Sequence, residues 1–111
     1  MAYKPNTLES LKKDCSEVGW DGYDAQPISK IVFDRAKAIE PYIPKRFELF
    51  PGADNSLQWE WKEHRKNDVW FIIEVYDDRY YFTTRENDRE FTDTNEFIEH
   101  LKKEIPECLH G

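Results

Sequence analysis

Val69-Trp70-Phe71-Ile72-Ile73-Glu74-Val75-Tyr76-Asp77-Asp78-Arg79-Tyr80-Tyr81-Phe82-Thr83-Thr84 is the stretch that decides the fold. Two runs rich in β-branched and aromatic residues, 69–76 and 79–84, flank Asp77-Asp78, and a two-residue connection suits a tight hairpin turn. Antiparallel partners face each other and successive side chains alternate, so this turn pairs Val75 with Tyr80, Ile73 with Phe82 and Phe71 with Thr84 on one face. That face reads as core. The opposite face carries Trp70, Ile72, Glu74, Tyr76, Arg79, Tyr81 and Thr83, a set too polar for a deep core and unusually aromatic for plain solvent.

Working outward, Leu57, Trp59 and Trp61 alternate with Gln58 and Glu60 as in a half-buried strand, and a short strand over 46–50 is closed by Pro51-Gly52. Downstream, the charged run 85–90 reads as a loop, with 89–92 as an optional short edge strand. Asp93 and Glu96 have capping-box spacing before Phe97, Ile98, Leu101 and Ile105, which predicts a helix that stops at Pro106. Upstream the period is helical. Asn6 and Glu9 have the same capping spacing, and Leu8, Leu11, Cys15 and Val18 make one stripe of a helix ending at Gly19. Ser29 then caps a second helix, with Ile28 and Phe33 placed as a hydrophobic staple and Val32, Ala36, Ile39 and Ile43 on its buried side. Pro41 and Pro44 end it near residue 40. The expected fold is α+β: two N-terminal helices, a three- to four-stranded mainly antiparallel sheet and a C-terminal helix packed on one sheet face, forming a single domain over 1–111.

The chain of 111 residues holds 23 acidic against 16 basic side chains, a balance of −7. That charge argues against a nucleic-acid or anionic-membrane surface, where phosphate binding needs clustered Lys and Arg. Aromatic residues at 15% fall in alternating runs that can be buried, which argues against disorder. Two cysteines, Cys15 and Cys108, are too few and too far apart for a zinc site or a disulfide scaffold, and a cytoplasmic setting is expected. The N-terminal run into a polar helix has no signal-peptide hydrophobic region, and no stretch is apolar enough to span a membrane.

Between the first two helices lies Gly19-Trp20-Asp21-Gly22-Tyr23-Asp24-Ala25-Gln26-Pro27-Ile28-Ser29. Its glycines permit tight turns and its Trp and Tyr offer area to bury, so it reads as a built corner and not a flexible spacer. Asp21 and Asp24 suggest acid/base or hard-cation chemistry, but a calcium loop needs more oxygen ligands, and Asp routinely bonds turn amides. No metal site and no cofactor are expected. His64, His100 and His110 share no ligand spacing and read as surface residues. Cys15, on an apolar stripe, reads as a buried inert thiol. Gly-rich phosphate loops and nucleophile elbows are absent.

The corner, followed by Leu57-Gln58-Trp59-Glu60-Trp61 and an alternating strand, resembles a group of small uncharacterised bacterial and phage proteins with the pattern W-D-G-Y-x-A-x-P-I-S. The match covers about half the chain. The resemblance implies a fold relationship and a mobile-element context, with no catalytic residue to transfer, and singles out Trp20, Asp21, Tyr23 and Asp24 as motif positions.

The favoured functional expectation is a small acidic non-enzymatic module that engages a protein partner, or a second copy of itself, through Trp70, Ile72, Tyr76 and Tyr81. These side chains would form an apolar patch ringed by charge. Two alternatives stand beside it. One is a carboxylate-based hydrolase or ligand-binding protein using Asp21, Asp24, Glu60 and Glu74; the other is an acidic decoy or antitoxin-like inhibitor of a basic protein.

Overall fold

A computed structural model describes residues 6–20, 22, 25–62 and 70–105, without the side chains of Lys62 and Trp70. Helices α1 (Leu8–Asp14) and α2 (Lys30–Ile39) lead, and a 3-10 turn over Glu40–Tyr42 follows. Five strands come next: β1 (Glu48–Gly52), β2 (Ser56–Lys62), β3 (Trp70–Val75), β4 (Tyr80–Thr84) and β5 (Asp88–Phe91), before α3 (Thr94–Glu104) closes the order. The strands lie side by side in chain order and every pairing is antiparallel.

The central hairpin has the expected register, with Val75 opposite Tyr80, Ile73 opposite Phe82 and Phe71 opposite Thr84. Tyr76 N–H donates to the Arg79 carbonyl at 2.9 Å, so the turn residues are Asp77 and Asp78. The sheet has one strand more than expected. The 85–90 run is not a loop throughout: Thr84 N–H reaches the Asn87 carbonyl at 2.8 Å, and β5 begins at Asp88, pairing with β4 from Thr83 to Tyr80. Its charged side chains are tolerated because Asp88, Arg89 and Glu90 all remain exposed on this edge strand.

Alternation places Leu49, Leu57, Trp59, Phe71, Ile73, Val75, Tyr80 and Phe82 on one face, all buried in one cluster with the helices. α2 contributes Val32, Phe33, Ala36 and Ile39, and α3 contributes Phe97 and Leu101. Each of the Val, Leu, Ile and Phe side chains adds about 1.5–3 kcal/mol by leaving water. Much of the aromatic content lies here as a run of rings. Trp61 stacks on Phe71 (6.0 Å), Phe71 meets Phe82 (5.8 Å), and His100 lies 4.8 Å from both Phe82 and Phe91. Phe91 then meets Phe97 (5.2 Å), which stacks on Tyr80 at 4.6 Å.

Tyr80 pins three elements together. Its ring has no exposed surface, and its hydroxyl lies 3.2 Å from the Arg35 carbonyl of α2 and 2.9 Å from Thr94 Oγ1 of α3. The Arg35 guanidinium sits 4.4 Å above the same ring.

Several local readings change. The first helix is capped by Thr7, whose hydroxyl accepts from Ser10 N–H while Ser10 Oγ accepts from Thr7 N–H. Asn6 instead donates from Nδ2 to the Leu49 carbonyl, 2.9 Å away. That helix stops at Asp14, well before Gly19, and Val18 is 71% exposed because the chain has already left the helical path. Ser29 holds the N-cap position of α2 without a side-chain cap bond, and its N–H donates to Asn55 Oδ1 at 2.7 Å. β1 runs through Pro51 and Gly52 and is not closed by them, which an edge strand permits because the missing N–H faces away from the ladder.

Within the corner, Gly19 and Gly22 have φ of 76° and 87°, conformations open to glycine at little steric cost. Trp20 Nε1 donates to the Gln26 carbonyl at 2.8 Å, and its ring packs on the core. Gln26 N–H reaches the Ala53 carbonyl at 2.9 Å, and Ile28 N–H reaches the Cys15 carbonyl at 3.0 Å. The corner is thereby fastened to the end of α1 and to the β1–β2 turn.

Candidate functional site

The described helices pack against the core face, which leaves the other face of the sheet as the surface to examine. Strand register arranges it in rows. One runs Phe50, Gln58, Glu74, Tyr81, Glu90 from β1 to β5, and its neighbour runs Glu48, Glu60, Ile72, Thr83, Asp88. Beyond the first row, at the hairpin end, lie Tyr76 and Arg79.

Tyr76 and Tyr81 meet edge to face at 5.6 Å, an arrangement that sets a positive ring edge against a negative ring face. The Arg79 guanidinium lies 5.3 Å from the Tyr76 ring and 5.6 Å from that of Tyr81. It also pairs with Asp78 at 3.2 Å and Glu90 at 3.7 Å. The Tyr76 hydroxyl donates to Glu74 Oε2 at 2.8 Å, and the Tyr81 hydroxyl reaches Glu90 Oε1 at 3.4 Å. Partial burial pushes the Tyr76 phenol up from its usual range, with the Glu74 hydrogen bond and carboxylate charge adding to the effect. Tyr76 is therefore a neutral donor across the physiological range.

Of the four expected interface residues, Ile72, Tyr76 and Tyr81 are half-buried here on adjacent strands. Trp70 stands in β3 opposite Lys62, and its side chain lies outside the described residues. Phe50 is 37% exposed at the β1 end of the first row. The strand expected over 46–50 includes Phe50, but with no cross-strand partner assigned to it, sequence alone does not place Phe50 on this face. Arg79 was placed on this face, but its bridging of two rings and two carboxylates depends on cross-strand distances that periodicity does not give.

The carboxylate candidates divide. Glu60 and Glu74 share the outer face as diagonal neighbours; Glu74 accepts from Tyr76, and Glu60 accepts from Gln58 Nε2 at 3.1 Å. Asp21, Tyr23 and Asp24 lie outside the described residues, as do His64, Cys108 and His110. Trp20 is half-buried and serves the corner. His100 was expected at the surface but is wedged between Phe82 and Phe91, and burial lowers its pKa. Cys15 is buried, with its thiol pushed up by burial and by Asp14, an unreactive setting. Among the described residues no three His, Cys, Asp or Glu side chains gather as a metal-binding group, and no helix is long and apolar enough to cross a membrane.

No family model, curated protein or solved structure matches the chain.

Proposed function

We propose that this chain is a non-enzymatic interaction module that binds a protein through the outer face of its sheet. The observation that carries the reading is the ordered cluster of Tyr76, Tyr81 and Arg79, beside Ile72, on a sheet face against which no described helix packs. Tyrosine and arginine dominate binding energy at interfaces because each offers large area together with directed polar contacts. The hydrogen bonds of Glu74 and Glu90 to the two phenols hold the rings in place before a partner arrives, which lowers the ordering cost of association.

The edges of the sheet favour the face over strand addition. β1 carries Pro51, and β5 is four residues long with three of them charged, both features that discourage pairing with another strand. The −7 charge speaks for a protein partner over nucleic acid or an anionic membrane. The likeness of 19–29 to small bacterial and phage proteins adds a proposed mobile-element context.

The test uses wild-type protein and Tyr81→Ala as immobilised baits, with light scattering to follow self-association. A specific partner or dimer that is retained by wild type and lost from an equally folded Tyr81→Ala supports the proposal. Equal retention by both baits places the interface elsewhere, and a monomer that retains nothing refutes it.

A further inference from the structure

We infer that the free edge of β1 is a second pairing surface, able to take the β1 of another copy of this chain, and that Asn6 is the latch that holds it closed. β1 is the outermost strand on its side of the sheet and is bonded to β2 alone. Such an edge turns the N–H and C=O of every second residue outwards, a template for another strand. Pro51 shows which residues those are. β1 keeps its pairing through this proline, so the ring nitrogen faces away from the ladder, and Leu49, two residues back, turns the same way. From outside, Asn6 Nδ2 donates to the Leu49 carbonyl at 2.9 Å, where a neighbouring strand would deliver its own N–H.

Of the outward positions 47, 49 and 51, Leu49 alone can both donate and accept. The Phe47 N–H is spent on the Pro44 carbonyl at 3.1 Å, and Pro51 has no N–H to give. A second copy suits this arrangement, because two-fold symmetry sets Leu49 opposite its own counterpart and lets the pair exchange both bonds. In that register Glu48 stands opposite Phe50 of the other copy, so no carboxylate directly opposes another and the 37% exposed Phe50 gains a neighbour. Asn6 holds the Leu49 carbonyl in each copy, and the latch therefore blocks both bonds at once. Asn6 is itself exposed and Thr7 supplies the cap of α1, so releasing the amide leaves the helix intact.

The experiment follows sedimentation of the intact chain over a range of concentrations, for wild type, Asn6→Ala, Asn6→Asp and Asn6→Ala/Pro51→Val. Either Asn6 change should strengthen dimerisation by about tenfold, the worth of one neutral hydrogen bond. Pro51→Val restores an outward N–H and should strengthen it further. Deuterium exchange at the Leu49 amide should slow as the double variant associates, and Tyr81→Ala should leave that dimer unchanged, which separates it from any association through the outer face.

A double variant that is folded by circular dichroism yet as dissociated as wild type overturns the inference. So does a dimer in which Leu49 exchange is unaltered, or one that Tyr81→Ala abolishes. Should the Pro51 change unfold the chain, the two Asn6 variants decide by the same criteria.

Discussion

Replacing Tyr80 with phenylalanine removes one oxygen from the centre of the molecule and leaves the ring. The hydroxyl contacts the Arg35 carbonyl at 3.2 Å and Thr94 Oγ1 at 2.9 Å, and each hydrogen bond has a net worth of about 0.5–1.5 kcal/mol. The Arg35 carbonyl lies within α2, where helical geometry supplies a partner from the next turn, so its loss falls at the lower end. Thr94 is half-buried and loses more. Together these give a destabilisation of about 1–2 kcal/mol. At about 4–8 °C per kcal/mol for a domain near this size, melting should drop by roughly 5–15 °C. Phe at this position still stacks on Phe97 and under Arg35, whereas Tyr80→Ala forfeits both and should cost about 3–5 kcal/mol. Urea denaturation followed by circular dichroism measures both variants, with an unchanged m-value confirming a common unfolding transition. A Thr94→Val cycle isolates the hydroxyl pair. If Tyr80→Phe is neutral, or as damaging as Tyr80→Ala, the pin as described is wrong.

Acid should weaken the seam between α3 and the sheet through His100. Burial lowers its folded pKa below the ordinary 6.5, against a smaller opposing effect of Glu104, with Arg89 and Lys103 lowering it further. The unfolded chain therefore takes the proton first, so stability is full above about 6.5, declines as pH falls towards the folded value, and levels off below it. His100→Gln should remove that component, and identical stability-versus-pH slopes for both proteins would exclude it. Gly52→Ala would drive a Cβ into Ser56 Oγ, which also donates to Asp54, and should cost about 1–3 kcal/mol in place of the gain usual for Gly→Ala in a strand. Ser56→Ala should restore part of that loss, and a neutral Gly52→Ala in thermal melts would contradict the contact. Asn55 has φ of 60° and accepts from Ser29 N–H, so Asn55→Gly should lose about 1 kcal/mol for the bond, and Asn55→Ala about 1 kcal/mol more for the backbone. Equal melting temperatures for these two variants would refute the backbone component.

The hairpin was legible because a two-residue turn fixes the parity of both strands, so the position of Asp77-Asp78 alone assigns Ile73 and Phe82 to one face and Ile72 and Tyr81 to the other. α3 was legible for a similar reason, with Asp93 capping it through Glu96 N–H and Phe97, Leu101 and Ile105 returning at helical spacing. β5 was only half legible, as an optional edge strand over 89–92, because Asp88, Arg89 and Glu90 carry no alternation of polarity and leave Phe91 as its one apolar marker. Val18 misled because it continues the stripe of α1 in sequence after the backbone has turned away. Thr7 was overlooked beside Asn6 because its reciprocal partner is Ser10, not the glutamate that the capping pattern favours. The tie between Ser29 and Asn55 spans 26 residues, and no local pattern encodes such a bond. At the candidate site, parity supplied the membership of the face, while the stacking of Arg79 on two rings required the assembled strands.

The unbroken strand order also bears on how quickly this chain finds its structure. With each strand bonded to its neighbour in sequence, the sheet can grow by closing one short loop at a time, and each closure costs little entropy. The N-terminal helices stand outside that sequence of events, since the Tyr80 bond to Arg35 joins residues 45 apart. The meander is therefore suited to form first and to present a finished apolar face onto which α1 and α2 settle. In stopped-flow measurements, Tyr80→Phe should then chiefly accelerate unfolding and leave the refolding rate nearly unchanged; a slowed refolding limb would put helix docking ahead of the sheet.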